Sequence, residues 1–326
     1  ASSGSTMSDR HAVFAWAESG KIADVRAALN VAGVLPGARG WRAFLDALLL
    51  WSGAVALAAA MVFFIAHNWN ELGRYAKFAL VEVPLAIAVV AYWRLGPERA
   101  TGKAALLVAA ILLGVLLALF GQTYQTGADT WELFATWAAL ITPWVIVGRF
   151  AGLWMLWLAL LNVAIVLYFM VFPGLFGLVF SREHQLWWLF AFDTLALVCW
   201  ELAARRVDWL AERWGPRLLA IVSGTAITLL VMHAIFDWRV QSGTALIVYP
   251  AWLACAYAVY RVKMQDLLVL AGGCLSLIVV VTAFLSKHLL GSHGQAGVFL
   301  LIALAIIGMA AAAGWWLKQL AAEVRA

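Results

Sequence analysis

Ten apolar runs, each close to a bilayer-spanning length, follow one another along this chain. They lie near 45–66, 76–94, 103–120, 131–148, 151–173, 186–203, 217–236, 243–260, 265–285 and 297–317. A helix that crosses the hydrocarbon layer needs roughly 20 apolar residues. In that layer only segments that satisfy their own backbone N–H and C=O groups are stable, which means helices or closed barrels. Runs this long and continuous fit helices. Charge agrees: 12% of the residues are Asp, Glu, Lys or Arg and the mean hydropathy is +0.92, against about 25% charged residues in a soluble domain. The expected fold class is all-α, a polytopic membrane bundle of about 10 transmembrane helices.

The basic residues give an orientation. The net charge of +5 and pI near 9.3 would suggest nucleic acid in a soluble protein, but here Lys and Arg sit in short connections between apolar runs, so no nucleic-acid partner is expected. Of the 22 Lys and Arg, only Arg74, Lys77, Arg182, Arg239 and Lys287 fall on one side of the expected bundle. The richer side is read as cytoplasmic. Both termini then face the cytoplasm, which an even number of helices requires, and the expected location is the bacterial inner membrane.

Outside the bundle, residues 1–6 (ASSGST) read as a foreign leader to Met7. No cleavable signal peptide is read, because the first long apolar run begins only near Leu45. Residues 7–42 are expected to form a helical hairpin, cytoplasmic or lying at the membrane surface. Ser19-Gly20 breaks it and Pro36-Gly37 stops it. The bundle then occupies 43–326. Cys199, Cys255 and Cys274 all fall within apolar runs and read as buried small hydrophobes. Small residues at four-residue spacing, Ala110/Gly114/Ala118, Gly308/Ala312 and Ala310/Gly314, predict close helix packing. Trp residues at run ends, Trp41, Trp93, Trp188 and Trp315 among them, read as an interfacial belt.

Against this background the polar residues stand out. Residues 121–132 form a polar, glycine-punctuated connection between the third and fourth runs. It holds Gln122, Tyr124, Gln125, Asp129 and Glu132, more polar groups than helix capping by a residue such as Thr130 needs. By the charge bias it faces outward, as do His67 and Asn68 at the end of the first run. Two carboxylates lie inside runs, Glu82 in the second and Asp193 in the sixth, both placed in the outer half by counting residues at 1.5 Å each. Pro84 and Thr142-Pro143 predict helix kinks. A carboxylate in hydrocarbon should turn toward a partner, water or the bundle interior. His233 near the outer end of the seventh run is expected to reach the same layer, and Asn162 lies near the middle of the fifth. The candidate site is an outward-opening polar cavity lined by Glu82, Asp193, His67, Gln122, Tyr124 and His233 and lidded by 121–132.

The stretch Gly121-Gln122-Thr123-Tyr124-Gln125-Thr126-Gly127-Ala128-Asp129, followed by Leu133-Phe134, Trp137-Ala138 and Pro143, resembles the signature of a bacterial family of polytopic membrane proteins catalogued as a domain of unknown function. Phe64-Ile65-Ala66-His67-Asn68-Trp69 and Trp16-Ala17-Glu18-Ser19-Gly20-Lys21-Ile22 resemble it too, so the likeness covers roughly residues 10–150. It implies an inner-membrane location and brings no activity or catalytic residue. The chain has no Gly-rich phosphate loop, Cys-x-x-Cys or His-Glu-x-x-His motif, so no cofactor, metal or catalytic residue is assigned. Three functions fit. The first is a small-solute or proton-coupled transporter with an outward-facing polar site, although no matching pair of broken helices marks an inverted repeat. The second is a non-transporting envelope scaffold, receptor or complex subunit that binds a lipid or periplasmic partner. The third is a membrane-embedded enzyme acting on a lipid-linked substrate.

Overall fold

The computed structural model describes residues 38–68, 71–172, 182–236, 243–289 and 296–323, with scattered positions between 13 and 28. Ten helices among these residues are long and apolar enough to cross a membrane. They are α1 (Ala38–His67), α2 (Arg74–Leu95), α3 (Ala100–Tyr124), α4 (Thr130–Gly148), α5 (Ala151–Val171), α6 (Arg182–Ala203), α7 (Trp214–Phe236), α8 (Gly243–Tyr257, whose span continues through a π-helical turn to Lys263), α9 (Leu267–Leu289) and α10 (Ala296–Glu323). No strand occurs among the described residues. The protein is a polytopic helical membrane protein. Pro84 and Pro143 lie inside α2 and α4, and the hydrogen bonds around Ser19-Gly20 form the turn read from the sequence: the Lys21 N–H and the Ser19 hydroxyl both donate to the Trp16 carbonyl. Pro36 and Gly37 lie outside the described residues.

The chain divides into two compact units, 1–115 with 325–326, and 116–324. In the first, α2 turns Val81 and Ala88 inward, one helical face seven residues long. Pro84 and Ala88 join Leu57, Met61 and Leu112 around an apolar cavity of about 330 Å3. Gly102 packs so closely on the carbonyl of Gly96 that no Cβ fits there. Of the small residues singled out on α3, Ala110 and Gly114 are buried and Ala118 is half-buried.

In the second unit, α4 and α5 pair through a very short link. Arg149, held left-handed at φ 47°, and extended Phe150 are all that separate α4 from α5. So short a link leaves the two helices no choice but to lie side by side. The Trp157 indole N–H of α5 then donates to the Ala138 carbonyl and Thr142 hydroxyl of α4, at 3.1 Å each. One apolar cluster gathers Trp200, Leu219, Leu270 and Leu320 at one end of this unit; a second, around Phe190, Ile227, Leu230 and Tyr249, fills the other.

Two expectations are corrected. Cys199 and Cys255 are exposed and Cys274 is only half-buried. Gly308, Ala310, Ala312 and Gly314 of α10 are likewise exposed. Both errors share a cause: a helix face that meets lipid is as apolar as one that meets protein, so apolarity does not say which face is inside.

Candidate functional site

The most buried ionisable side chain lies at the middle of α6. Asp193 is 0% exposed and is the twelfth of 22 helical residues. Counted from Arg182, Asp193 lies eleven residues along α6, ~16 Å at the helical rise. Its partner comes from α5. Asn162 Nδ2 donates to Asp193 Oδ1 at 2.9 Å and to the carbonyl of Leu158, one turn back, at 3.0 Å. Both amide hydrogens are thereby spent. Asp193 Oδ2 and Asn162 Oδ1 are buried with no hydrogen-bond partner. None of the ion pairs among the described residues involves Asp193. The pair thus presents two acceptors short of a donor at membrane depth. Unsatisfied polar atoms in such surroundings cost roughly 1–3 kcal/mol each, and they mark a place where a donor or a cation would be held.

A cavity of about 400 Å3, within the usual range for ligand pockets, lies between α4, α5 and α6, and neither Asp193 nor Asn162 lines it. It begins at Trp131 on the first turn of α4 and Tyr168 on α5, whose rings meet edge to face at 5.1 Å. It runs down α5 through Ile165 to Leu161, about 10 Å at the helical rise. Leu161 and Phe192, two of its lining residues, are the chain neighbours of Asn162 and Asp193. The Trp131 indole nitrogen is also buried without a partner. The walls are apolar.

Trp131 directly follows the polar connection, which is shorter than read. α3 continues through Gln122 and Thr123 to Tyr124, and α4 begins at Thr130, leaving 125–129 between them. The extended reach of α3 follows from Gly121–Tyr124 keeping the helical path until Gln125 turns left-handed at φ 46°. Gly127, at φ 68°, makes a second left-handed turn that a side chain would oppose. Asp129, not Thr130, occupies the cap position, without a side-chain cap bond. Gln122, Tyr124 and Gln125 are exposed, and Tyr124 leans on Phe120 at 4.7 Å between ring centres. Asp129 and Glu132 are half-buried at the start of α4. His233 on α7 is half-buried, with Nδ1 enclosed and unpartnered.

The remaining candidates belong to the first unit. Asn68 closes α1: its N–H and side-chain Nδ2 both donate to the Phe64 carbonyl, and its own carbonyl accepts from Glu71 and Leu72. His67 is the exposed last residue of the same helix. Glu82 is exposed rather than turned inward, because it sits one residue off the face that carries Val81 and Ala88.

A second polar centre escaped the sequence reading. Asp266, just before α9, and Glu201, near the end of α6, are buried at 3% and 7% exposure. Arg213 joins them: it meets Glu201 at 3.1 Å and Asp266 at 3.3 Å. Arg217 meets Asp266 at 2.9 Å, and the Tyr260 hydroxyl donates to Glu201 at 2.9 Å. Arg213 and Arg217 are therefore balanced by these buried carboxylates, not by Asp208 and Glu212 as their nearness in the chain suggests. A π-helical turn, Ala258–Lys263, continues α8 and brings Tyr260 into the network. The signal available was a carboxylate at each of two expected helix ends, beside an arginine at a third.

Residues 15–154 match the model of a family described as predicted membrane protein (DUF2157). That span holds both the His-Asn-Trp stretch at 67–69 and the connection at 121–129 on which the resemblance rests. No curated protein and no solved structure matches the chain.

Proposed function

We propose that the protein is a transporter of the bacterial inner membrane that moves a proton or a small donor-bearing solute, with Asp193 and Asn162 as the binding pair. One observation carries this reading: two buried acceptors, Asp193 Oδ2 and Asn162 Oδ1, lack any donor at the middle of a membrane-spanning helix. Intramembrane carboxylates are costly and mark ion or substrate paths. A proton, a small cation or an N–H or O–H group of a solute supplies what these oxygens lack. The cavity from Trp131 to Leu161 runs along the same two helices without being lined by the pair, and by the charge bias access to the pair is from the outer face, the side of 125–129. The test is proton flux in proteoliposomes that hold a trapped pH-sensitive dye. Asp193→Asn, which keeps the size of the side chain, is expected to lower flux by about tenfold or more, equivalent to at least ~1.4 kcal/mol. Glu82→Gln, which alters an exposed side chain, leaves it within about twofold. Equal flux from wild type and Asp193→Asn would overturn the proposal.

A second reading, an envelope scaffold or receptor, is favoured by the display of 125–128 on the surface, all four residues being exposed. It predicts that a photo-crosslinker at Thr126 traps one discrete protein or lipid in intact cells. A smear of products without a dominant species counts against it.

A further inference from the structure

We infer that the second unit carries a binding site for one anionic phospholipid, its phosphate on Arg217 and one acyl chain in a groove between α7 and α9. The groove has a volume of about 460 Å3. On α7 it is walled by Ile221, Gly224 and Thr228, and on α9 by Leu268, Gly272 and Ser276, with Trp252 of α8 behind. Arg217 lies four residues before Ile221 and seven before Gly224, so it stands on the same helical stripe at the groove's end. Asp266, its partner, lies two residues before Leu268. Both walls therefore lead away from the same ion pair.

The head is preorganised. Arg217 Nε donates to both oxygens of Asp266, at 3.2 and 2.9 Å. Its Nη1 and Nη2 groups hold no hydrogen bond among the described residues, and the side chain is 40% exposed. A guanidinium fixed by one edge offers its other edge to a phosphate in bidentate fashion. Arg205 and Arg206, exposed just past α6, add positive charge to the same end of the unit.

The tail is matched in length and polarity. From Arg217 to Thr228 the stripe is eleven residues, ~16 Å at the helical rise, close to the ~15 Å hydrocarbon depth of one leaflet. The hydroxyls at its deep end are consumed among themselves. Tyr249 Oη and Ser276 Oγ lie 2.9 Å apart, Ser276 Oγ and Thr228 Oγ1 2.6 Å apart, and Thr228 donates to the Gly224 carbonyl. With every proton of that chain directed onward, the groove shows its occupant an apolar wall. Its residues at Ile221, Leu268 and Gly272 are exposed on membrane-spanning helices, so the occupant that reaches it is a lipid chain of the surrounding leaflet.

The full chain in nanodiscs containing equal phosphatidylglycerol and phosphatidylcholine, released into the gas phase for native mass spectrometry, tests this. Wild type is expected to retain one phosphatidylglycerol in preference to phosphatidylcholine by about tenfold. Gly272→Leu, at a position where a Cβ meets no atom within 4 Å, fills the groove without touching the ion pairs and is expected to lose the retained lipid. Arg217→Lys keeps the charge beside Asp266 but not the second donor edge, and brings the headgroup preference close to one. Equal retention of the two lipids by wild type overturns the inference, and so does undiminished retention by Gly272→Leu. If Arg217→Lys does not fold, the Gly272→Leu result and the wild-type preference decide between these outcomes.

Discussion

Asn162 shows how one residue can be placed by depth and still be misjudged for role. It lies eleven residues into α5, and Asp193 lies ten residues before the end of α6. In antiparallel neighbours those depths coincide, ~16 and ~15 Å from the same side. Residue counting from 151 and 203, the run ends read from the sequence, is enough to pair them. What counting does not reveal is that the amide spends both hydrogens, on Leu158 and Asp193, and leaves its oxygen bare. A purely structural pair would be satisfied. A pair kept short of donors costs stability, so the double variant Asn162→Leu/Asp193→Leu is expected to unfold at a higher temperature than wild type, by roughly 1–3 kcal/mol, while losing flux. Asn162→Leu alone leaves the carboxyl without a partner and is expected to destabilise by a similar amount. A double variant less stable than either single change would assign the pair a packing role instead. These comparisons use thermal unfolding in one detergent at one protein concentration.

At the scale of elements, the spans were legible and their ends were not. Hydropathy marks the hydrocarbon-crossing part of a helix, whereas caps and turns depend on few residues. α3 therefore runs on to Tyr124, and α8 passes into the π turn at Ala258–Lys263. That turn matters because the Asp266 N–H donates to the Tyr260 carbonyl, tying the start of α9 to the end of α8. The network of Glu201, Arg213, Asp266 and Arg217 then locks the ends of α6, α7, α8 and α9 together. Its members are separated by as many as 65 positions in the chain, and no local pattern announces such a meeting. Removing its centre, Arg213→Ala, exposes two buried carboxylates to each other and is expected to cost about 3–5 kcal/mol. Arg261→Ala breaks the pair with Glu323, whose side chain is 58% exposed, and is expected to cost under ~1 kcal/mol. Urea or thermal melts of the two variants decide it; equal losses would mean that the network is no more than a surface pairing.

At the scale of the whole molecule, orientation rests on the uneven distribution of Lys and Arg. With Cys199, Cys255 and Cys274 replaced by Ala, a membrane-impermeant thiol reagent is expected to label Thr126→Cys on intact spheroplasts. Lys318→Cys, exposed near the end of α10, is expected to react only after permeabilisation. The opposite pattern reverses the topology and places the approach to Asp193 on the cytoplasmic side. The sequence alone determined the class, the spans and the unusual polarity of 121–132, because crossing hydrocarbon imposes length and apolarity on each helix separately. Only the tertiary structure decided which faces turn inward, that Glu82 is exposed while Asp193 is enclosed, and that Asn162 and Arg213 find distant carboxylates. Lipid and protein interior are equally apolar, so the information that tells one helix face from another resides in contacts between helices and not in the composition of any one of them.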